Sequence, residues 1–516
     1  MLARVQSAAV VGLDALPVDV EVDVSPGIPT FAVVGLPDTA VREARERVRA
    51  AIRNTGYEMP PRRITVNLAP ADTRKAGPAF DLPIALGILV ATRQVPEAGL
   101  DGCVVVGELS LDGAVRPVVG VLSIALSCRA RRCRGLVIGA ANADEASIVE
   151  DLPVFPVDTL ERLGEALCRN QPLRPRQKTN VAACRPSVGD VDFAEVRGQA
   201  YARRALEIAA AGAHNVLLLG PPGSGKTMLA RRLPTILPPL TRDEAIEVTR
   251  IYSVAGHLMV RGSLMTIRPF RAPHHSASLP ALIGGGAAPR PGEASLAHLG
   301  VLFLDELPEF RRDTLEALRQ PLEEGRVVVA RAHATVAFPA QYMLVAALNP
   351  CPCGYHGDSA RPCTCTCSER VRYLGRISGP LLDRVDLHVD VPRLTGAELT
   401  ANTPGEPSIE ICARVIRARA VQAARWTGAE TPLKTNAAVP PSLLRGRCAL
   451  SEDVRRFLRQ AIDRLGLSSR AFERIIRVAR TIADLAGARE IEAPHIAEAV
   501  AYRTLDRPMT GGHDVR

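Results

Sequence analysis

The chain has 516 residues, of which 47% are hydrophobic and 23% are charged, the composition of a soluble globular protein long enough for several domains. Its longest apolar stretches, such as residues 82–91, are far shorter than the ~20 residues of a membrane span, and the early acidic residues exclude a signal-peptide core. We therefore expect a cytoplasmic protein that makes no membrane contact.

The formal net charge of +9 is unevenly distributed along the chain. Residues 411–516 contain 19 Lys and Arg against 11 Asp and Glu, whereas the first 410 residues contain 45 against 44. A basic C-terminal region is typical of proteins with an anionic partner such as nucleic acid, and equally of helices that carry solvated arginines. Because aromatic residues make up only 3% of the chain, base stacking is not expected to dominate a contact with nucleic acid.

Two stretches without apolar periodicity divide the chain into three predicted domains. In chain order we expect an N-terminal domain, a linker, an α/β nucleotide-binding domain, a second linker and an all-helical domain. Their bounds are residues 1–168, 169–190, 191–395, 396–410 and 411–510.

Two segments of the N-terminal domain, residues 75–84 (KAGPAFDLPI) and 107–122 (GELSLDGAVRPVVGVL), resemble the proteolytic domain of Lon protease. Lon needs a serine after the Gly-Pro pair and a lysine in the second segment, because a hydroxyl is a poor nucleophile without a base. Here these positions are Ala79 and Leu122, which can neither attack nor accept a proton. We expect an inactive α+β domain that supports assembly, a partner interface or nucleic-acid contact, or that is a structural appendage.

A glycine-rich loop lies between an apolar run that predicts a strand, residues 215–219, and a predicted helix, residues 228–233. The loop consists of Gly220, Pro221, Pro222, Gly223, Ser224, Gly225, Lys226 and Thr227. Its converging N–H groups and the helix N-terminus are suited to phosphate oxygens. Lys226 would reach the β- and γ-phosphates and Thr227 would ligate Mg²⁺. In this strand-loop-helix context the pattern predicts a nucleotide site rather than an ordinary glycine turn.

Two further apolar runs end in polar residues that suit the same site. Residues 301–304 end at Asp305 and Glu306; we assign Asp305 to the Mg²⁺ ion and Glu306 to the base that activates water. Residues 343–348 end at Asn349, whose amide can orient that water and sense the γ-phosphate. The alternative for Asn349 is a turn before the following proline.

Five further segments point to a particular protein family more specifically than the phosphate loop does. They are residues 268–275 (RPFRAPHH), 291–293 (PGE), 301–306 (VLFLDE), 349–354 (NPCPCG) and 378–386 (SGPLLDRVD). Together they resemble the magnesium-chelatase-like AAA+ ATPases of the ComM/YifB type, and the resemblance covers essentially the whole chain. It implies a P-loop AAA+ core of α/β class with a C-terminal helical lid, and a homo-hexameric ring with ATP at the subunit interfaces.

The resemblance also implies two arginines that act on the nucleotide. Arg384 matches the finger that a neighbouring subunit contributes to stabilise charge on the transferred phosphoryl group; Arg376 is the second candidate, and a plain salt bridge from Arg384 to Asp383 or Asp386 is the alternative. Arg470 matches the second sensor, which contacts nucleotide from the helical domain. Its alternative is one member of a solvent-facing stripe of arginines.

Two β-prone runs flank Arg331 within residues 325–336, which predicts a hairpin. The resemblance implies that such a hairpin lies in the pore of the ring, where Arg331 and His333 would contact the phosphate backbone of DNA. Residues 267–296 would form a second insert in the pore. A buried structural hairpin is the alternative.

Five of the 12 cysteines lie between residues 351 and 367. In a cytoplasmic chain such clustering indicates metal binding rather than a disulfide, and four thiolates complete a tetrahedral Zn²⁺ site. The favoured ligands are Cys351, Cys353, Cys363 and Cys365, with Cys367 or His356 as substitutes. The ion would be structural, and unliganded thiols on a loop are the alternative.

Two functions are compatible with these features. The first, implied by the resemblance, is an ATP-driven DNA motor for unwinding or branch migration of recombination intermediates, of the kind linked to natural transformation. It would bind single-stranded or branched DNA without sequence preference, because no base-reading element is visible. The second is a remodelling ATPase that acts on a protein, as the chelatase subunit does.

Overall fold

The structure of the protein is a computed structural model, and its α/β core followed by helices confirms the predicted fold class. It describes residues 1–71, 75, 77–176, 191–258, 263–286, 289–331, 334–358, 360–396, 398, 405–427, 435–448 and 450–503. Within these residues no helix combines the length and the hydropathy that crossing a lipid bilayer requires.

The N-terminal domain has two main sheets with helices packed against them. Its strands are β1 (Leu2–Val11), β2 (Asp14–Ser25), β3 (Thr30–Val34), β4 (Arg63–Ala69), β5 (Cys103–Val106), β6 (Glu108–Leu109), β7 (Val115–Arg116), β8 (Gly135–Gly139) and β9 (Val154–Val157). Its α-helices are α1 (Thr39–Asn54), α2 (Asp81–Ala91), α3 (Val121–Ala130), α4 (Ala143–Ala146) and α5 (Leu160–Cys168). The sheet orders are β1-β2-β4-β3 and β5-β8-β9, and the almost wholly apolar helix α2 is buried against β1, β2 and β5.

The central domain is built on a five-stranded parallel sheet. Its strands are β10 (Val216–Leu219), β11 (Phe270–Arg271), β12 (Gly284–Gly285), β13 (Arg290–Pro291), β14 (Val301–Leu304), β15 (Arg326–Arg331), β16 (Ala334–Pro339), β17 (Met343–Leu348) and β18 (Leu387–Asp390). Its α-helices are α6 (Ala200–Gly212), α7 (Lys226–Ile236), α8 (Arg242–Ala255), α9 (Leu279–Ile283), α10 (Glu293–Leu296), α11 (Arg312–Glu316), α12 (Arg319–Glu324), α13 (Cys367–Leu374) and α14 (Gly379–Leu382).

The sheet order is β11-β14-β17-β10-β18, and every neighbouring pair in it is parallel. The strands β10, β14 and β17 are buried and apolar, as expected for a parallel sheet that is covered on both faces. Because parallel strands end at the same edge, the three polar segments that follow β10, β14 and β17 meet there.

The C-terminal region contains α15 (Ser408–Trp426), α16 (Pro441–Arg447), α17 (Glu452–Leu465), α18 (Ser469–Leu485) and α19 (Ala493–Ala501). Helices α15 and α18 pack on α6, so the lid shares one hydrophobic core with the central domain. Helix α15 begins at Ser408, whose N–H donates to Asp192 Oδ1 at 2.9 Å.

The N-terminal domain packs directly on the central domain. Helix α3 contacts α8, and the tight turn between β1 and β2 places Leu13 in the core formed by α8 and the β15–β16 hairpin. Arg250 Nε donates to the Leu13 carbonyl at 2.9 Å and to Ser123 Oγ at 3.0 Å. These contacts join the N-terminal domain to the central domain.

Candidate active site

The phosphate loop follows β10 and ends where α7 begins at Lys226. Gly223 and Gly225 have φ values of 78° and 93°, a left-handed conformation that glycine adopts without a steric cost. A Cβ at Gly220 would lie 2.1 Å from the Val391 carbonyl oxygen, so that position also requires glycine. The loop therefore adopts the conformation that its sequence predicts.

Lys226 lies at the centre of this loop. Its Nζ donates to the Gly220 and Pro221 carbonyls at 2.7 and 3.0 Å, and to Asn349 Oδ1 at 3.1 Å. Burial lowers the pKa of Lys226, while Asp305 and Glu306 oppose that shift. The ammonium group is thus directed into the site and joins the tips of strands β10 and β17.

The acids after β14 occupy distinct positions. Thr227 Oγ1 donates to Asp305 Oδ2 at 2.7 Å, which brings together the two side chains that were predicted to hold Mg²⁺. Glu306 has a left-handed φ of 51°, an uncommon conformation for a non-glycine residue, and its side chain is 54% exposed. Strained backbone of this kind is often found at functional sites. The Thr227 hydroxyl and the Asp305 carboxylate are hard oxygen ligands, so this pair of donors fits Mg²⁺.

Two residues contact this site that the sequence analysis did not assign. His275 Nδ1 lies 3.4 Å from Glu306 Oε2, so the imidazole is the neighbour of the proposed base. Tyr373 lies beside the backbone of Asn349, and burial, followed by the charges of Glu309 and Glu306, raises the pKa of its phenol to about 12. The sequence could have pointed to His275, because it belongs to one of the five segments that resemble the family. Tyr373 lies in none of these segments, and no sequence pattern pointed to it.

Arg384 and Arg470 both line one cavity of the chain. Arg384 forms an ion pair with Glu323 rather than with Asp383 or Asp386, and Arg470 donates to Asp383 Oδ2 at 2.7 Å. Both arginines line a cavity of roughly 1100 Å³ whose described lining does not include residues 220–227. Within one protomer, therefore, neither arginine is placed at the phosphate loop.

The described lining of this cavity carries both signs of charge, with six arginines and seven acidic residues. Burial, then the positive charges of Arg319 and Arg470, lower the pKa of Arg384, so its guanidinium lies among like charges. Arg474 forms an ion pair with the buried Asp386, which is not the arrangement of a solvent-facing stripe. Arg376 donates to Glu309 Oε1 at 3.1 Å, and Glu309 lies three residues after Glu306 in the same chain.

The hairpin predicted around Arg331 is present, with strands β15 and β16 paired in the register Arg331↔Ala334. Its base is buried, because Val327 and Phe338 belong to the core that also contains Leu13. The side chain of Arg331 and the whole of His333 lie outside the described residues. Their contact with DNA stays a prediction.

The four favoured cysteines are brought together by the fold. The sulfur atoms of Cys351, Cys353, Cys363 and Cys365 all lie within 4.8 Å of one another. Of the two substitutes, Cys367 is exposed at the start of α13, and the His356 ring accepts a hydrogen bond of 2.8 Å from Arg370. The cluster is therefore compatible with a four-thiolate metal site made of the favoured set.

The positions that would be catalytic in a Lon protease lie in the N-terminal domain. Leu122 is fully buried in α3, and its N–H donates to Glu145 Oε1 at 3.1 Å. The Ser253 hydroxyl of α8 donates to the same carboxylate oxygen. The position of the missing lysine is thus at the contact between the two domains.

Sequence comparison identifies the relatives of the chain. Residues 192–399 match the family described as magnesium chelatase, subunit ChlI; residues 20–142 match subunit ChlI of Mg-chelatase, and residues 405–503 match the C-terminal region of subunit ChlI. The competence protein ComM of Haemophilus influenzae is 46% identical, and the match covers 98% of each chain. The uncharacterized YifB proteins of Salmonella typhimurium and Escherichia coli are each 44% identical, also over 98% of each chain.

Proposed function

The chain belongs to the magnesium-chelatase-like AAA+ family of the ComM/YifB type, and we propose that it is an ATP-hydrolysing motor that acts on DNA in the cytoplasm. One observation carries the ATPase part of this proposal: Lys226, Thr227, Asp305 and Asn349 converge at the carboxyl edge of one parallel sheet. The proposed cofactors are ATP and Mg²⁺. Zn²⁺ at the cysteine cluster would be a structural ion.

Each side chain would act according to its position. The loop N–H groups and Lys226 would bind the phosphates. Mg²⁺, held by Thr227 and Asp305, would neutralise charge on the phosphate oxygens. Glu306 would accept the proton of the attacking water, and the Asn349 amide would orient that water.

We propose that the active form is a homo-hexameric ring. The support from the geometry is that Arg384 lines a cavity that lies apart from the phosphate loop of its own chain and forms an ion pair there with Glu323. In a ring, Arg384 would complete the site of the neighbouring protomer and stabilise the charge that develops on the transferred phosphoryl group. Arg470 donates to Asp383, the residue that precedes Arg384, and would contact the same nucleotide.

The DNA part of the proposal has three supports. The relative ComM carries the name competence protein, the C-terminal region is basic, and a two-stranded hairpin is present next to the strand that ends at Asn349. We propose that the motor unwinds or branch-migrates recombination intermediates, as in natural transformation. Binding through the phosphate backbone should be independent of sequence and should weaken steeply as salt increases.

The experiment measures ATP hydrolysis by the full-length protein without DNA, with single-stranded DNA and with a synthetic four-way junction, across a salt series. We expect stimulation by DNA that decreases with salt, and junction displacement that is lost in the Lys226→Ala and Glu306→Gln variants. The matched control is Glu309→Gln. It makes the same Glu-to-Gln change three residues after Glu306, at a side chain that accepts a hydrogen bond from Arg376. Displacement that survives Glu306→Gln would contradict the proposal.

The alternative is a remodelling ATPase that acts on a protein, and the match to the chelatase subunit supports it. ATPase stimulation by a partner protein but not by DNA would favour this alternative. The absence of hydrolysis under every condition would exclude both.

A further inference from the structure

We propose that Cys351, Cys353, Cys363 and Cys365 bind one Zn²⁺ ion, and that this ion holds Asn349 and the phosphate loop in their working positions. The second half of this inference rests on the proposed ATPase function. The first half, the metal site itself, does not.

The distances between the sulfur atoms are those of a metal site. Cys351 Sγ lies 3.3 Å from Cys353 Sγ and 3.6 Å from Cys363 Sγ, and Cys353 Sγ lies 3.6 Å from Cys363 Sγ. Four Zn–S bonds of ~2.3 Å in a tetrahedron place the sulfur atoms ~3.8 Å apart. A disulfide would need ~2.05 Å, so these contacts are too long for a disulfide and close to the separation around one ion.

The surrounding backbone favours thiolates. The Cys353 N–H donates to Cys365 Sγ at 3.3 Å, and the Cys365 N–H donates to Cys363 Sγ at 3.4 Å. Backbone N–H groups of Tyr355 and Thr364 also point to the sulfur of Cys353. Such hydrogen bonds to metal ligands orient them and stabilise their charge. Four sulfur ligands select zinc or an iron–sulfur cluster among the common metals.

The first pair of cysteines is attached to the ATP site. Cys351 follows Asn349 by two residues and is fully buried. Gly354, with a φ of 86°, packs so tightly that a Cβ there would lie 2.7 Å from Pro222 Cδ and 4.0 Å from Asn349 Cγ. The turn that carries Cys353 therefore rests on the phosphate loop.

The second pair reaches Asn349 from the other side. Cys363 and Cys365 directly precede α13, which begins with a capping box between Thr366 and Glu369. Tyr373, near the end of α13, lies beside the backbone of Asn349. A metal ion would thus close a loop whose two ends both contact Asn349. Without the ion, only the local hydrogen bonds would hold the two cysteine pairs together.

The first test is elemental analysis of the purified full-length protein, together with its visible absorption spectrum. We expect about one Zn²⁺ per chain, as one four-thiolate site requires. The Cys353→Ser/Cys365→Ser variant should lose the ion, whereas Cys168→Ser, an exposed cysteine of the N-terminal domain, should retain it. Wild-type protein without zinc, or with the absorption of an iron–sulfur cluster, would overturn the metal assignment.

The second test measures the coupling to the ATP site. The zinc-free variant should remain folded by circular dichroism but lose ATPase activity about 10–100-fold, the usual effect of removing support from around a site. Gly354→Ala should retain zinc, because every ligand is intact, and should still lose activity through its contact with Pro222. A zinc-free protein with full ATPase activity would overturn the coupling.

If the double serine variant does not fold, zinc can be extracted from folded wild-type protein with a mercurial reagent, measured with a colorimetric chelator and then added back. Activity should decrease and recover in step with zinc content. A wild-type protein that contains zinc but never hydrolyses ATP would leave the metal site standing and overturn the proposed function. A zinc-free wild-type protein that hydrolyses ATP would overturn the metal site and leave the proposed ATPase function standing.

Discussion

Glu145 of the N-terminal domain accepts a hydrogen bond from the hydroxyl of Ser253 in helix α8 of the central domain. Both residues are buried, and the Gly120 N–H donates to the Ser253 carbonyl at 3.2 Å beside them. The same carboxylate accepts from the Leu122 N–H, at the position where a Lon protease has its lysine. The segment for which a Lon-like domain was predicted thus takes part in the contact between the two domains.

We expect Glu145→Ala to destabilise this attachment. Removing a buried acceptor leaves its donors unpaired and costs about 1–3 kcal/mol. Differential scanning calorimetry should show an earlier first transition, and limited proteolysis should cut more readily between the domains. The control is Glu150→Ala, which removes an ion pair between the domains, Arg242–Glu150, whose side chains are more than half exposed. Exposed pairs contribute about 0–1 kcal/mol, so equal effects from the two variants would contradict the role of Glu145.

We expect Glu306→Gln to separate ATP binding from hydrolysis. Glutamine keeps the shape but cannot accept a proton, so kcat should decrease ~10²–10⁴-fold. Binding of a fluorescent ATP analogue should be nearly unchanged, because Lys226 and Thr227 are intact. His275→Ala should reduce kcat less, since His275 contacts Glu306 without being a predicted base. A Gln variant that hydrolyses ATP at the wild-type rate would remove Glu306 from the mechanism.

We expect Arg384 to act on the site of a neighbouring protomer. Lys226→Ala and Arg384→Ala should each be inactive alone, and mixed rings should regain about a quarter of the activity, the statistical fraction of interfaces with both residues intact. The measurement is ATPase activity after the two proteins are mixed and reassembled.

The control for this mixing experiment is the pair Lys226→Ala and Glu306→Gln, which lie on the same site of one chain. Because neither protein can supply an intact phosphate loop together with an intact base, their mixture should stay inactive. Recovery in this control, or none with Arg384→Ala, would contradict action between protomers.

We expect the buried Asp81 carboxyl to make the stability of the protein depend on pH. Burial raises the pKa of Asp81 to about 6, although Arg47 Nε donates to it at 2.7 Å and opposes the shift. Since the folded-state pKa is above the unfolded value of ~3.9, protonation favours the folded state. This contribution is complete below pH 4 and is lost as the pH rises through 6.

Relative to Asp81→Asn, the wild-type protein should therefore gain about 2 kcal/mol of stability between pH 7 and pH 4. Thermal unfolding of the two full-length proteins over this pH range measures the difference. Asp112→Asn is a control of opposite sign, because hydrogen bonds from Ser110 and the Ala114 N–H lower the pKa of the exposed Asp112. A stability difference between wild type and Asp81→Asn that does not change with pH would contradict the prediction.

Much of the candidate site could be predicted because its residues follow apolar strands. Lys226, Asp305 and Asn349 come directly after β10, β14 and β17, and neighbouring parallel strands bring such residues to one edge. The four cysteines were also predicted as a group, because short spacing within each pair limits how far apart their sulfur atoms can lie. Neither argument requires knowledge of the packing between helices.

His275 and Tyr373 could not be assigned in this way. Each is separated by more than 20 residues from the residue it contacts, Glu306 or Asn349, and lies on no strand tip. The same holds for the ion pair of Arg384 with Glu323, where spacing had suggested Asp383 or Asp386. These contacts depend on how helices and inserts pack, which local patterns do not encode.

The amino-acid sequence by itself determined which groups this protein brings to its chemistry: a phosphate loop, two acids, an amide and four thiols, each beside a strand or turn whose geometry is local. Only the tertiary structure decided that Arg384 and Arg470 lie apart from the phosphate loop of their own chain, that the cysteine turn rests on Pro222, and that Glu145 attaches the N-terminal domain to α8. The physical reason is that these three relationships concern segments that are distant in sequence, and their positions are set by burial and hydrogen bonds that exist only once the chain has folded.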